Sequence, residues 1–152
     1  MLFAARETMY LHMLAQAFAA QGLPPEWGPA FARTESNFEA TAHSTAAGDV
    51  KRGGSFGLCQ ISYLTAKALG YTGLPQGLND PQCNAELAAK LCKKNMTDYH
   101  VTSLLDVAAL YNSGKRYAAA PASTKTVYVT KVVRFAAMYK VRLAQTPAPS
   151  IP

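Results

Sequence analysis

Apolar residues recur at a helical period along most of this chain, and glycine and proline cut that pattern into segments. Over residues 1–21, Leu2, Phe3, Met9, Tyr10, Met13, Leu14, Ala17 and Phe18 follow a repeat of about 3.6 residues. Gly22 and the Pro24-Pro25 pair stop this helix and open a second over residues 26–37. Gly28-Pro29 should delay its regular geometry to Pro29. Residues 38–54 are polar and rich in Gly, Ala and Thr, so they read as loop. A short helix is expected to open at residues 57–61 and another at 65–69, stopped by Gly70. After a Gly/Pro loop at 71–82 come a helix over 84–99, with Leu87 and Leu91, and one capped by Ser103, with Asp106 in its first turn, through Tyr111. A loop at 113–123 precedes a last helix over 124–144, carrying Val129, Val132, Val133, Phe135, Ala136 and Tyr139.

The expected fold class is therefore mainly α, one domain over residues 1–145, with room for a small β-hairpin or irregular loop near 38–56. Residues 146–152 hold three prolines and are expected to be a disordered tail. The 152 residues suffice for one domain with a core, and 49% hydrophobic against 16% charged residues suits a globular chain. No apolar run reaches the ~18 residues of a membrane span. Glu7 and the lack of a basic opening segment beyond Arg6 make the N-terminal stretch read as a helix rather than a signal peptide.

Charge and cysteine usage exclude several classes. The net charge is +6, from 15 Lys and Arg against 9 Asp and Glu, which either serves solubility alone or favours anionic partners: nucleic acid, membrane surfaces or cell-wall polymers. Basic residues do not cluster with aromatics, so nucleic acid is not the expected partner. Cys59, Cys83 and Cys92 are an odd set, and nine helical residues separate the last two by roughly 13 Å, beyond bridging range. His12, His43 and His100 are scattered, so neither a metal nor a cofactor is expected.

Four short motifs remain. Ala32 begins Ala-Arg-Thr-Glu-Ser-Asn-Phe, and Gly57 begins Gly-Leu-Cys-Gln-Ile. Ala109 begins Ala-Leu-Tyr-Asn-Ser-Gly, and Val127 begins Val-Tyr-Val-Thr-Lys-Val. Singly, each has an ordinary reading. Glu35 is a solvated glutamate at a helix end, Gln60 a cap, Tyr111 and Tyr128 half-buried core residues, and Asn112-Ser113-Gly114 a helix stop.

In this order, over about residues 24–140, the motifs resemble the lytic transglycosylases related to the soluble lytic transglycosylases. That resemblance implies a goose-type lysozyme-like fold and cleavage of peptidoglycan glycan strands. Glu35-Ser36 matches the family's Glu-Ser pair, which makes Glu35 the catalytic acid. Ser44, nine residues on, falls on a serine that hydrogen-bonds near the acid. Gln60 is implied to touch the sugar, with Cys59 in place of the usual Met packed inward. Tyr111 and Asn112 are implied to line the groove, and Tyr128 to hydrogen-bond Glu35. Residues 78–84, with Leu78-Asn79-Asp80-Pro81 and Asn84, also fit the family. Residues 45–53, with Asp49, Lys51 and Arg52, lengthen a loop that is usually short, and could edge the groove or reach a partner protein.

The implied chemistry cleaves the β-1,4 bond between N-acetylmuramic acid and N-acetylglucosamine, with one glutamate as acid and then base, to give 1,6-anhydro ends. A hydrolytic lysozyme of the same fold, with Asp49 positioning water, is the first alternative. A non-catalytic wall-binding or virion protein is the second. The expected setting is a monomer acting on the wall. A phage-encoded protein is the favoured origin, with a phage particle, holin lysis or a secretion machine as the route of delivery.

Overall fold

The computed structural model describes residues 2–150. Helix α1 (Phe3–Ala20) and helix α2 (Trp27–Ser36) cross closely, and α2 also packs on the C-terminal helix. The crossing needs Gly28, because a Cβ there would lie 2.5 Å from the carbonyl oxygen of Leu14. Helix α2 begins at Trp27, two residues before Pro29, so Gly28-Pro29 does not delay it. Proline fits there because first-turn N–H groups have no helical partner. The chain leaves α2 through Asn37 (φ 50°) and Phe38 (φ 60°), a conformation costly for L-residues. The Phe38 side chain, fully buried, offsets that cost by packing on Phe3 and Tyr139.

A three-stranded antiparallel sheet follows, in the order β1 (His43–Ser44), β2 (Ser55–Phe56), β3 (Ile61–Ser62). The expected hairpin is present but larger than a two-stranded one. Ser44 pairs with Ser55 and Ser55 with Ser62, which lines the three serines up across the sheet. The long loop between β1 and β2 carries one helical turn, α3 (Ala47–Lys51).

The helix expected to open at residues 57–61 is absent. Those residues form the β2–β3 turn and the start of β3. Gly57 and Gln60 take positive φ, 79° and 49°, which a right-handed helix excludes. Asn84 holds the turn. Its Nδ2 donates to the carbonyls of Phe56 and Leu78, at 2.7 and 2.8 Å, and its Oδ1 accepts from the Cys59 N–H at 2.8 Å. A Cβ at Gly57 would approach Asn84 Nδ2 to 2.4 Å, so only glycine fits.

Helix α4 (Tyr63–Ala68) is capped by Ser62, and α5 (Pro81–Tyr99) by Asp80, three residues before the expected start. The Pro75–Asn79 3-10 turn lies within the expected 71–82 loop. Helix α6 (Leu104–Ser113) is capped by Ser103 and stopped by Gly114. A π-helical turn, Thr124–Val129, leads into α7 (Thr130–Gln145). Residues 146–150 form no regular element and are exposed; the tail's last two residues, like Met1, lie outside the described residues.

The core joins Leu14 and Phe18 of α1, Phe31 of α2, Leu58, Ile61, Leu78, Val107 and Val132. Buried Glu7 accepts from Tyr139 at 2.5 Å, pairs with Arg142 and lies 3.8 Å from Arg33. Arg33 also sits over the rings of Phe3 and Phe135. All three cysteines are free, with Cys59 and Cys92 buried. No described helix is long and apolar enough to cross a membrane.

Candidate active site

Glu35 lies in the last turn of α2, where the helix meets the sheet, and lines a polar cleft of about 470 Å³. Ser36, beside it, donates to the Leu58 carbonyl at 2.7 Å and ties the helix end to the β2–β3 turn. That bond sets where the neighbouring carboxyl stands.

Tyr128, in the π-helical turn, donates to Glu35 Oε1 at 2.5 Å. Burial pushes the Glu35 carboxyl up to about 7; the Tyr128 hydrogen bond opposes the rise and the negative charge of Asp49 adds to it. Burial thus governs the shift. Phe31 does serve the cleft, through a ring contact with Tyr111 at 4.6 Å. Phe38 faces Phe3 and Tyr139 instead.

The other residues singled out from sequence reach the same region by different routes. Tyr111 lines the cleft and donates to the Cys59 carbonyl at 2.6 Å. Gln60 lines it too, with its amide nitrogen committed to the carbonyls of Ala42 and Gly57, at 2.9 and 3.0 Å. Asn112 accepts from Thr124 at 2.8 Å and borders both this cleft and a second hollow of about 340 Å³, lined also by Tyr128 and Lys131. Ser44 lines the cleft, but its hydroxyl is directed to Asp49 Oδ2 at 2.5 Å, not to the acid.

Three contributors were not identified as site residues from sequence. Ser55 donates to Asp49 Oδ1 at 2.7 Å, and Ser62 extends the serine row along the cleft wall. Their only local signal is a serine on each two-residue strand; the pairing that aligns them is non-local. Asn84, read only as part of a family segment, is the buried pin of the turn. The lengthened loop supplies Asp49 and Arg52 to the cleft, so it edges the groove. Among the described residues no group of three or more His, Cys, Asp or Glu is placed to hold a metal ion.

A helical domain with a small antiparallel sheet and a half-buried glutamate at a helix end facing a polar cleft has the build of the lysozyme-like proteins. The Transglycosylase SLT domain family matches residues 12–126, and the chain belongs to that family. Among solved structures it is similar to an inactive glutamate-to-glutamine mutant of the lytic transglycosylase Slt from Pseudomonas aeruginosa. The TM-score is 0.71 at 22% identity, over 90% of this chain. The chain spans about a quarter of that protein's length, 24%. No curated protein matches the sequence.

Proposed function

We propose that this protein is a peptidoglycan lytic transglycosylase that uses Glu35 as acid and then base. The observation that carries the reading is the state of Glu35. It is a carboxyl raised to about 7 by burial, in a polar cleft, with one hydrogen bond from Tyr128. Such a group holds its proton near neutral pH and can deliver it to a glycosidic oxygen.

In this reading the Glu35 carboxyl protonates the bridging oxygen between N-acetylmuramic acid and N-acetylglucosamine, and the bond to C1 breaks. The muramic N-acetyl group stabilises C1. The Glu35 carboxylate then takes the proton of the C6 hydroxyl as that oxygen attacks C1. The products are a 1,6-anhydro end and a free 4-hydroxyl, with no water consumed. Tyr128 steadies the carboxylate between the two steps, while Gln60, Tyr111 and Asn112 contact the glycan. The similar Slt structure is described as an inactive glutamate-to-glutamine mutant, which agrees with a one-glutamate mechanism.

The hydrolytic alternative has Asp49 in the same cleft in its favour. Against it, both Asp49 oxygens already accept serine hydroxyls, and those bonds hold its pKa below the usual carboxylate range, which makes it a weak base toward water.

Mass spectrometry of muropeptides from purified sacculi, wild type beside Glu35→Gln, tests the proposal. Anhydro-muramic products that vanish in the variant support it. Reducing-end products would make the protein a lysozyme, and no products from either would favour a binding role.

A further inference from the structure

Strand pairing places Ser44, Ser55 and Ser62 in one row, and all three line the cleft that holds Glu35. Asp49 reaches this row from α3, the helical turn in the lengthened loop. Ser44 donates to one of its oxygens and Ser55 to the other, at 2.5 and 2.7 Å. The turn is fastened to the sheet side by backbone bonds. The Gly54 N–H donates to the Asp49 carbonyl at 2.7 Å, and the Leu64 N–H to the Arg52 carbonyl at 3.1 Å.

The direction of these hydrogen bonds has a chemical consequence. An ionised carboxylate only accepts, and a serine hydroxyl has one proton to give. Ser44 and Ser55 have both given theirs to Asp49, so each can present only a lone pair to the cleft; the other lone pair of Ser44 takes the Ala46 N–H at 3.4 Å. The bonds from Ser44 and Ser55 hold the Asp49 carboxyl below its usual range, burial opposes this, and Arg52 assists. The charged groups sharing its surroundings are Arg52 and Glu35.

We propose that Asp49 is a positioning residue of the glycan cleft, which locks Ser44 and Ser55 as hydrogen-bond acceptors for the amide N–H and hydroxyl donors of an N-acetylated sugar. The proposal rests on the transglycosylase reading for the class of ligand. It assigns the lengthened loop to substrate recognition, and it gives Asp49 a role that involves no proton transfer.

Asp49→Asn is the test. Asparagine keeps the shape, but its Nδ2 must donate to one serine. That serine's own proton then turns toward the cleft, and a sugar donor meets a donor. Binding is measured by calorimetry with a chitooligosaccharide, an N-acetylated glycan that needs no turnover. Kd should weaken roughly tenfold, the scale of one unpaired polar contact. Adding Ser44→Ala should cost much less in the Asp49→Asn background than in the wild type. Ser44→Ala and Ser55→Ala alone, which keep the carboxylate, should each weaken binding several-fold and serve if Asp49→Asn fails to fold.

An unchanged Kd in folded Asp49→Asn, or in both serine variants, overturns the proposal, as does a wild type that does not bind the probe. Turnover on sacculi adds an independent readout. The alkaline limb of activity should move to lower pH in Asp49→Asn, because Glu35 loses a neighbouring negative charge. Selective loss of reducing-end products would show Asp49 activating water and also overturn the proposal. If the wild type binds the probe, Asp49→Asn weakens that binding and sacculi yield no products, the positioning role stands and the transglycosylase reading fails.

Discussion

Tyr128 and Glu35, 93 residues apart in sequence, share a 2.5 Å hydrogen bond in which the phenol donates to Oε1. The bond favours the ionised carboxyl and works against the burial that favours the neutral one. Tyr128→Phe should therefore raise the pKa of Glu35 further and move the alkaline limb of activity to higher pH. Turnover at neutral pH should fall roughly ten- to 100-fold, since one charge-assisted hydrogen bond contributes about 1.5–3 kcal/mol. A pH–rate profile checks both. An unmoved limb with unchanged turnover would make Tyr128 structural only.

Glu35→Gln should lower turnover by roughly 100- to 10,000-fold, the usual contribution of a general acid. It should also change the pH dependence of stability. The folded carboxyl, raised from 4.5 to about 7, holds its proton more tightly than the unfolded one. The wild type thus keeps its full stability below about pH 4.5 and loses some as pH rises through 7. At roughly 1.4 kcal/mol per pH unit the loss is bounded near 3 kcal/mol. Thermal melts at pH 4 and pH 8 should show Glu35→Gln gaining on the wild type at the higher pH. A constant difference between the two would contradict the raised pKa of Glu35.

Asn84→Ala should destabilise the domain by about 3 kcal/mol or more, because it leaves the Cys59 N–H and two carbonyls without their buried partner. The β2–β3 turn carries Gln60 and the Leu58 carbonyl that anchors Ser36, so glycan binding should weaken as well. Denaturant unfolding gives the first quantity and chitooligosaccharide titration the second. Loss of stability with fully retained binding would uncouple the turn from the cleft.

Glu7→Ala should cost about 3–5 kcal/mol, the scale of breaking a buried ion pair, since it leaves Arg142, Arg33 and Tyr139 facing a cavity. The pH dependence of activity in the surviving folded fraction should match the wild type, because no member of this cluster lines the cleft and its Arg33 stands two positions before Glu35 on α2, about 200° around the helix. A shifted pH–rate limb would show the two sides of α2 to be coupled.

The helices were legible because their signals are local. The 3.6-residue apolar repeat, Ser103 ahead of Leu104 and Gly114 after Ser113 act within a turn or two of the backbone. The β2–β3 turn was misread as a helix for the complementary reason. Gly57-Leu58-Cys59-Gln60 has no local feature that forbids a helix, and what excludes one is Asn84, some 25 residues further on. Glu7 gave no sign of its burial either, since the partners that make burial tolerable lie on α7.

By itself the sequence determined most of the helical segments and, through motif order, the kinship that singled out Glu35. Only the tertiary structure decided what that glutamate experiences. Burial depth depends on elements that meet from opposite ends of the chain, and so does the Tyr128 bond. The serine row depends on strand register, which two-residue strands cannot encode in their own pattern. Asp49 could be read as a charge in a long loop; that its carboxylate orders two cleft hydroxyls follows from the pairing that brings Ser44 and Ser55 to either side of it.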